Sequence, residues 1–387
     1  MLTSDDTKIK MDFDMNSIER HDSVILTDDA PEPVYDKKEE KRSFILLPHQ
    51  EEEEEEKEKE PEKITEKIPE AIKEEKKNNS NLNLFLNLIE QIKSRSFPII
   101  NSIFFLLKVT LNSLAGSTKL FGGKNVGERS DLYPSLFTPA GYAFSIWGLI
   151  YTFNALFVIV QLPYIISGWK NPLIFNRIGI LYPILCLANI IWLFLFCFDQ
   201  IIASTFVIGL IWVILLVIYI RMKIGYGEEH RTRNVTKDRK MQWWEFLIIQ
   251  PTFSLYFGWL TCASLANTFL AGVKDPFGFG EAYYACMMIT FTTIPAMTLL
   301  FWRKDFVYSG VVCWAVTAIF IKNKDKNAIV STAAAINASL VGLATAVVMI
   351  YLFVNLMLNI MRKLIVKYNE KYGTEVTLPF GLTKIEK

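Results

Sequence analysis

Residues 179–220 read GILYPILCLANIIWLFLFCFDQIIASTFVIGLIWVILLVIYI. An apolar helix of about 20 residues spans the hydrocarbon core of a bilayer, so this run is long enough for two crossings. Asp199 and Gln200 lie at its midpoint, and we predict a tight hairpin there at one membrane surface. The alternative is that Asp199 is a buried carboxylate in a proton relay. The run therefore predicts a helical membrane protein.

The rest of the chain after residue 96 continues this pattern. We predict eight spans, at roughly 98–115, 138–162, 179–198, 201–220, 246–272, 282–301, 305–321 and 329–360. The first contains Lys108, which either snorkels to the surface or faces a partner. The last is longer than one crossing, and we expect it to tilt or to emerge as an amphipathic end. The predicted fold class is an all-α polytopic membrane protein.

The net charge of +1 is a balance between two unlike parts of the chain. Residues 1–96 hold 26 acidic and 16 basic residues, and residues 97–387 hold 14 acidic and 25 basic ones. Glu and Lys fill 20 of the 27 positions from Glu51 to Lys77. Such a segment buries too little apolar area to offset its ordering entropy, so we predict a disordered acidic tail. It is either a solvated spacer or an interaction tail for a basic partner.

Apolar residues recur at three- and four-residue spacing just before the first span. They are Leu82, Phe85, Leu86, Ile89 and Ile92. This spacing indicates an amphipathic stretch of helix that lies on the membrane surface. Three domains are predicted: the tail with this stretch at 1–96, a membrane domain at 97–276, and three additional helices with a basic end at 277–387.

The acidic N-terminus resembles neither a secretory signal nor a mitochondrial presequence, so the first span is expected to direct membrane insertion. With eight spans, 17 Lys and Arg fall in loops on one side and 7 on the other. If insertion uses a secretory-type translocon, both termini are cytosolic. The expected location is an organelle membrane, either the mitochondrial outer membrane or an endomembrane.

Residues that carry catalysis or bind metals are scarce in the membrane half. The three His residues lie in the tail and in a basic loop, and each of the five Cys residues stands alone in a span. We therefore predict no enzyme activity, no cofactor, no metal site and no nucleic-acid partner. Trp169, Trp243, Trp244 and Trp302 lie at the ends of spans and are interpreted as interfacial anchors.

Three spans carry tryptophan together with a polar residue one or two helical turns away. The pairs are Trp147 with Tyr151, Asn189 with Trp192, and, two turns apart, Trp259 with Asn267. These side chains either line one pocket for a flat apolar ligand or bind helices together through amide hydrogen bonds. A stripe of small residues in the last span, Ala334, Ala338, Gly342 and Ala346, favours close helix packing, within the chain or in a homodimer.

Three segments resemble the family of tryptophan-rich sensory proteins, which includes TspO and the translocator proteins. YPSLFTPAGYAFSIWGLIY at 133–151 is similar to its first loop and second helix, although Phe137 replaces a Trp and Ala140 a Pro. ANIIW at 188–192 is similar to its helix three. LYFGW at 255–259, followed by Ala263 and Asn267, is similar to its helix five. The similarity covers roughly residues 98–272. The longer, mostly bacterial members, which have the FTPAGY version of the motif found here at 137–142, look closer and also extend past helix five.

The resemblance implies a five-helix bundle, frequent dimerisation, and a pocket under the first loop that binds porphyrins, sterols or synthetic aromatic ligands. By position, the implied pocket residues are Pro139, Phe144, Trp147, Tyr151, Asn189, Trp192, Trp259 and Asn267. The leading hypothesis is a membrane receptor, carrier or sensor for a planar apolar ligand. The alternatives are a small-molecule transporter that uses all eight spans, and a scaffold subunit with an acidic docking tail.

Overall fold

The computed structural model describes residues 67–374 and residue 376, except residues 169, 232–233 and 237–238. The acidic segment before residue 67, with its predicted disorder, lies outside the described part. The described helices are α1 Lys67–Ser117, α2 Val126–Asp131, α3 Ile146–Ile159, α4 Leu162–Ser167, α5 Leu181–Cys197, α6 Ile201–Met222, α7 Glu228–Arg231, α8 Gln250–Leu270, α9 Glu281–Arg303, α10 Phe306–Asn323 and α11 Ala328–Tyr372. Two short strands, β1 Asn234–Thr236 and β2 Arg239–Lys240, pair antiparallel in the basic loop.

Helices occupy all eight predicted spans, which makes the protein an all-α polytopic membrane protein. Seven helical segments of the described residues are long and apolar enough to cross a bilayer: Ser80–Ser117, Gly141–Ser167, Ile201–Met222, Glu245–Leu270, Glu281–Arg303, Phe306–Asn323 and Ala328–Tyr372. The eighth, α5, has 17 residues. A π-helical stretch, Leu173–Ile178, precedes it and adds to its length. α5 packs against α6, and Arg221 at the end of α6 donates a hydrogen bond of 2.6 Å to the Asn176 carbonyl oxygen in the π-helical stretch.

The predicted hairpin between α5 and α6 is confirmed. Only residues 198–200 separate the two helices, and Asp199 has a φ of 67°, a left-handed conformation that reverses the chain. The Tyr133 hydroxyl donates a hydrogen bond to the Asp199 carboxylate, and an Arg129 guanidinium nitrogen lies 3.3 Å from it. The carboxylate therefore fixes a turn at the surface, and the proton-relay alternative is wrong.

The first span begins within a longer helix. α1 is continuous from Lys67 through Pro98 to Ser117, so the predicted amphipathic stretch is its N-terminal extension and exposes Leu82, Phe85 and Ile92. Lys108, which was expected to snorkel or face a partner, is fully buried inside the bundle. Its ammonium group donates a hydrogen bond of 3.1 Å to Asn154 Oδ1 on α3. The snorkelling interpretation is therefore wrong.

Helix α8 lies at the centre of the bundle and contacts α3, α6 and α10. The close approach to α10 requires Gly258, since a Cβ there would lie 3.0 Å from the Tyr308 carbonyl oxygen. α10 and α11 pack along the stripe of small residues, where a Cβ at Gly342 would lie 3.2 Å from Cys313 Sγ. Ala334 is buried and Ala346 exposed, so most of the stripe serves packing within the chain.

Two of the four predicted interfacial tryptophans, Trp243 and Trp302, are largely exposed, as anchors in a lipid headgroup region would be. Trp244 is half-buried. Trp169 lies outside the described residues.

Candidate functional site

The segment of residues 133–145, here called the loop segment, connects α2 to α3 and ends in a 3-10 helix at Gly141–Ser145. Contacts to helices on both sides hold it in place. The Phe137 ring stacks on Phe269 of α8 with the centroids 5.2 Å apart. The Leu136 N–H donates a hydrogen bond of 2.9 Å to Glu281 Oε1 at the start of α9, and Lys274 Nζ donates one of 2.8 Å to the Pro134 carbonyl oxygen. Phe137 thus has a packing role where the resembling family has Trp.

Helix α10 forms a second set of contacts with the loop segment. The Ala140 N–H donates a hydrogen bond of 3.1 Å to the Ala318 carbonyl oxygen. Trp314 Nε1 donates one of 3.1 Å to the Ala143 carbonyl oxygen, and Asn323 Nδ2 donates one of 2.9 Å to that of Leu136. These three bonds attach the loop segment to a helix that lies beyond the five-helix resemblance.

A narrow apolar chamber, the inner chamber, lies beneath the loop segment between α3, α5, α6, α8 and α10. Its volume is about 70 Å³, enough for a small group but not for a drug-sized molecule, which needs about 300 Å³ or more. Trp147 and Trp259 meet in its wall with ring centroids 6.3 Å apart, and Phe144 lies edge-on to Trp259 at 5.7 Å. The inner chamber is therefore an aromatic slot.

A larger chamber, the outer chamber, adjoins the inner one and has a volume of about 630 Å³. The shared wall contains Pro139, Phe144, Trp147 and Trp192. α1, α2, α5 and the end of α10 complete the outer chamber. Its size lies within the range of about 300–1,000 Å³ that is typical of small-molecule sites. The outer chamber can accommodate the body of a flat ligand, with one edge in the aromatic slot.

The structure brings all eight sequence-predicted pocket residues to these two chambers. Those that line the inner chamber are Pro139, Phe144, Trp147, Asn189, Trp192, Trp259 and Asn267. Tyr151 lines the outer chamber, where its ring stacks on Trp147 at 5.5 Å. Their assignment as ligand-binding residues stays a prediction.

The two amides among these residues also connect helices. Asn189 Nδ2 donates a hydrogen bond of 3.0 Å to the Tyr256 hydroxyl, and Asn189 Oδ1 accepts one of 2.9 Å from Asn112. Asn267 Nδ2 donates to the hydroxyls of Ser204 at 3.0 Å and Thr205 at 2.7 Å. The two alternatives for these amides are thus compatible, because both residues connect helices and both line the inner chamber.

Three buried polar groups in the chamber walls make no hydrogen bond to any described residue. They are the indole nitrogens of Trp192 and Trp259 and the Thr138 hydroxyl. All three residues line the inner chamber. A buried donor without an acceptor costs about 1–3 kcal/mol, so such groups mark a place where water or a ligand supplies the missing partner. A ligand with a hydrogen-bond acceptor, or a water molecule, is a candidate for the missing partner at the inner chamber.

The mouth of the outer chamber is polar. Asn125, Asp131, Lys322 and Lys326 line it, whereas Asn112 lies deeper in the chamber, where its amide donates to Asn189 Oδ1. α2 is positioned there by a capping box, in which Asn125 and Glu128 exchange hydrogen bonds of 2.8 and 3.2 Å. The bond from the Asn125 backbone N–H, together with Lys119, holds the pKa of Glu128 below its ordinary value. Glu128 is thus engaged within its own turn, and Asp131 is the acid that faces the chamber.

α2, α10 and the turn after α10 also contribute lining residues that the sequence did not predict. Val126, Ser130, Ala315 and Ile319 line the inner chamber, and Lys322 and Lys326 line the mouth of the outer one. These residues lie outside the three segments that carry the resemblance. A signal was present in the spacing of Lys322, Lys324 and Lys326, which are three basic residues within five positions.

The comparisons with known proteins agree with this architecture. The profile of the TSPO-like protein family matches residues 98–351. The match extends past the five helices to include α9, α10 and the first half of α11. No curated protein and no solved structure matches the chain. The eight helices follow the predicted order, an aromatic cavity lies beneath the loop segment, and the family match covers most of the membrane half. The chain therefore belongs to the TSPO-like protein family.

Proposed function

We propose that this protein is a membrane receptor or carrier that binds a planar, mainly apolar ligand of the porphyrin or sterol kind in the outer chamber. The observation that carries the proposal is the wall between the chambers. Trp147 stacks on Tyr151 and stands edge-on to Trp259, which leaves an aromatic surface facing a space of about 630 Å³. Aromatic rings of this arrangement bind flat ligands by stacking and by burial of apolar area.

The unpaired indole N–H groups of Trp192 and Trp259 refine the proposal. A ligand that places ring nitrogens, a carbonyl or a hydroxyl in the aromatic slot supplies the acceptors that these donors lack. A pure hydrocarbon of the same shape leaves them unpaired and binds more weakly. The function proposed is therefore recognition of a flat ligand with polar atoms at one edge.

Quenching of tryptophan fluorescence by protoporphyrin IX tests this function. The full chain is reconstituted in phosphatidylcholine nanodiscs and compared with Trp147→Leu and with Trp243→Leu as a matched control. Trp243 is 74% exposed and lies outside both chambers, so its loss removes one fluorophore only. We expect Trp147→Leu to weaken binding about tenfold, because it removes a stacking surface worth about 1.5 kcal/mol. Equal affinity of both variants would contradict the assignment of the site.

Transport of the ligand is a second candidate function, and one observation favours it. Lys108, Glu245 and Asp305 are all fully buried, and ionisable groups inside a helical membrane bundle are typical of transporters. Ligand flux into proteoliposomes distinguishes the two functions. If the Lys108→Met variant keeps its ligand affinity but loses flux, transport is favoured. If the unsubstituted protein binds the ligand but gives no flux, a receptor is favoured.

A further inference from the structure

The mouth of the outer chamber has a charge pattern that the proposed function does not explain. Lys322 and Lys326 both line it, whereas Lys324 between them does not. Lys324 instead lies 4.0 Å from the Asp325 carboxylate and is well exposed. Lys322 and Lys326 are four residues apart, so the turn that follows α10 brings them to one side and directs Lys324 to another.

The two lysines have few partners. In the part of the chain that the structure describes, neither makes an ion pair within 4.0 Å, and Asp131 is the one carboxylate that lines the chamber. Lys322 is half-buried and lies close enough to Asp131 to feel its charge, without an ion pair within 4.0 Å, whereas Lys326 is exposed. The mouth thus carries an excess of one positive charge next to an apolar space.

The position of these lysines is fixed by the contacts of α10. Asn323, the neighbour of Lys322, donates hydrogen bonds of 2.9 Å both to the Leu136 carbonyl oxygen and to that of Ile319. The Lys326 N–H donates one of 2.9 Å to the Asn323 carbonyl oxygen. The mouth is therefore built on the same residues that attach the loop segment to α10.

From these observations we propose that Lys322 and Lys326 bind the acidic group of an amphiphilic ligand whose flat apolar body lies in the outer chamber against Trp147 and Trp192. The chamber has the polarity that such a molecule requires, with an aromatic slot at one end and ammonium groups at the other. A carboxylate, a sulfate or the phosphate of an acidic lipid has the chemistry that these groups recognise. The inference rests on the proposed ligand-binding function and assigns its specificity to the end of α10 and the turn that follows it.

Protoporphyrin IX and its dimethyl ester form the probe pair, because they share one ring system and differ in negative charge. Affinities are measured by tryptophan quenching with the full chain in phosphatidylcholine nanodiscs. We expect the free acid to bind about tenfold more tightly than the ester, because an ammonium group makes a stronger hydrogen bond to a charged acceptor than to a neutral one. The double variant Lys322→Gln/Lys326→Gln should lose this preference, and the control Lys324→Gln should keep it.

The outcomes separate the two proposals. If the double variant keeps the full preference for the acid, the assignment of the lysines is overturned while the ligand-binding function stands. If neither form binds to the unsubstituted protein, the proposed function fails and this inference fails with it. Nanodiscs that contain phosphatidic acid identify the source of the acidic group. If the preference for the free acid over the ester is lost in those nanodiscs, the lysines bind a lipid phosphate. If the preference remains, the lysines bind the acidic group of the ligand itself.

Discussion

Lys108 is buried where a membrane protein rarely places a charge. Its ammonium nitrogen lies 5.3–5.9 Å from the ring centroids of Phe105, Tyr151, Tyr182 and Tyr256. Asn154 Oδ1 accepts a hydrogen bond from this ammonium group and also one of 3.1 Å from the Tyr182 hydroxyl. Cation–π attraction strengthens when the cation is desolvated, so the four rings replace part of the lost hydration.

This arrangement predicts opposite effects for two substitutions. Asn154→Leu removes the amide oxygen that accepts from the buried ammonium and should lower the free energy of unfolding by about 2–4 kcal/mol. Lys108→Met replaces the cation with an apolar side chain of similar length and should leave stability unchanged or raise it. Thermal unfolding in detergent, followed by circular dichroism, measures both.

The double variant Lys108→Met/Asn154→Leu is the control. It should recover most of the loss seen with Asn154→Leu alone, because no charge is left unpaired. If Lys108→Met is as unstable as Asn154→Leu, this account is contradicted. The packing of the four aromatic rings would then depend on the cation.

At the scale of the element, the contact between α8 and α10 depends on Gly258. Adding a methyl group there places it 3.0 Å from the Tyr308 carbonyl oxygen and 3.2 Å from Val311 Cβ, and both atoms belong to a packed helix. We expect Gly258→Ala to destabilise the protein by about 1–3 kcal/mol, as overpacking does. The midpoint of thermal unfolding reports the change.

Gly209→Ala is the matched control, since Gly209 lies inside α6 and a Cβ added there would meet no atom within 4 Å. Alanine favours a helix over glycine by up to about 1 kcal/mol, so this variant should be as stable as the parent or more so. A loss of stability in both variants would mean that helix packing at Gly258 is not the cause.

The sequence predicted most of the helices because each span must satisfy its backbone hydrogen bonds internally and fill the thickness of a bilayer. The hairpin at Asp199 followed from length alone. The burial of Lys108 did not, because a lysine in an apolar run can face lipid, water or protein, and only the neighbouring Asn154 and tyrosines decide which. The spacing of Trp147, Asn189 and Trp259 predicted a shared pocket. The contribution of α10 to the wall of that pocket could not be predicted, because the sequence does not show which helices are neighbours.

At the scale of the whole molecule, the eight helices make a prediction about sidedness. Both ends of the membrane half should lie on the side rich in basic residues, and the mouth of the outer chamber on the opposite side. Lys371→Cys and Lys223→Cys should therefore react with an impermeant maleimide from one side of sealed vesicles. Lys124→Cys and Lys326→Cys should react from the other.

The five natural cysteines lie within helices and none is strongly exposed, which keeps the background low, and detergent-opened vesicles provide the control for accessibility. Labelling of positions 371 and 326 from the same side would contradict the eight-span topology, since α11 would then fail to cross. The result also locates the lysines of the mouth relative to the two aqueous compartments.

The three hydrogen bonds between α10 and the loop segment have a kinetic consequence. A ligand that reaches the aromatic slot by lifting this segment must first break the bonds at Ala140, Ala143 and Leu136, and they re-form behind it. Association and dissociation would then be slowed together, so a ligand of modest affinity would still have a long residence time. The fraction of protein with bound ligand would then depend more on earlier exposure to the ligand than on the ligand concentration at that moment.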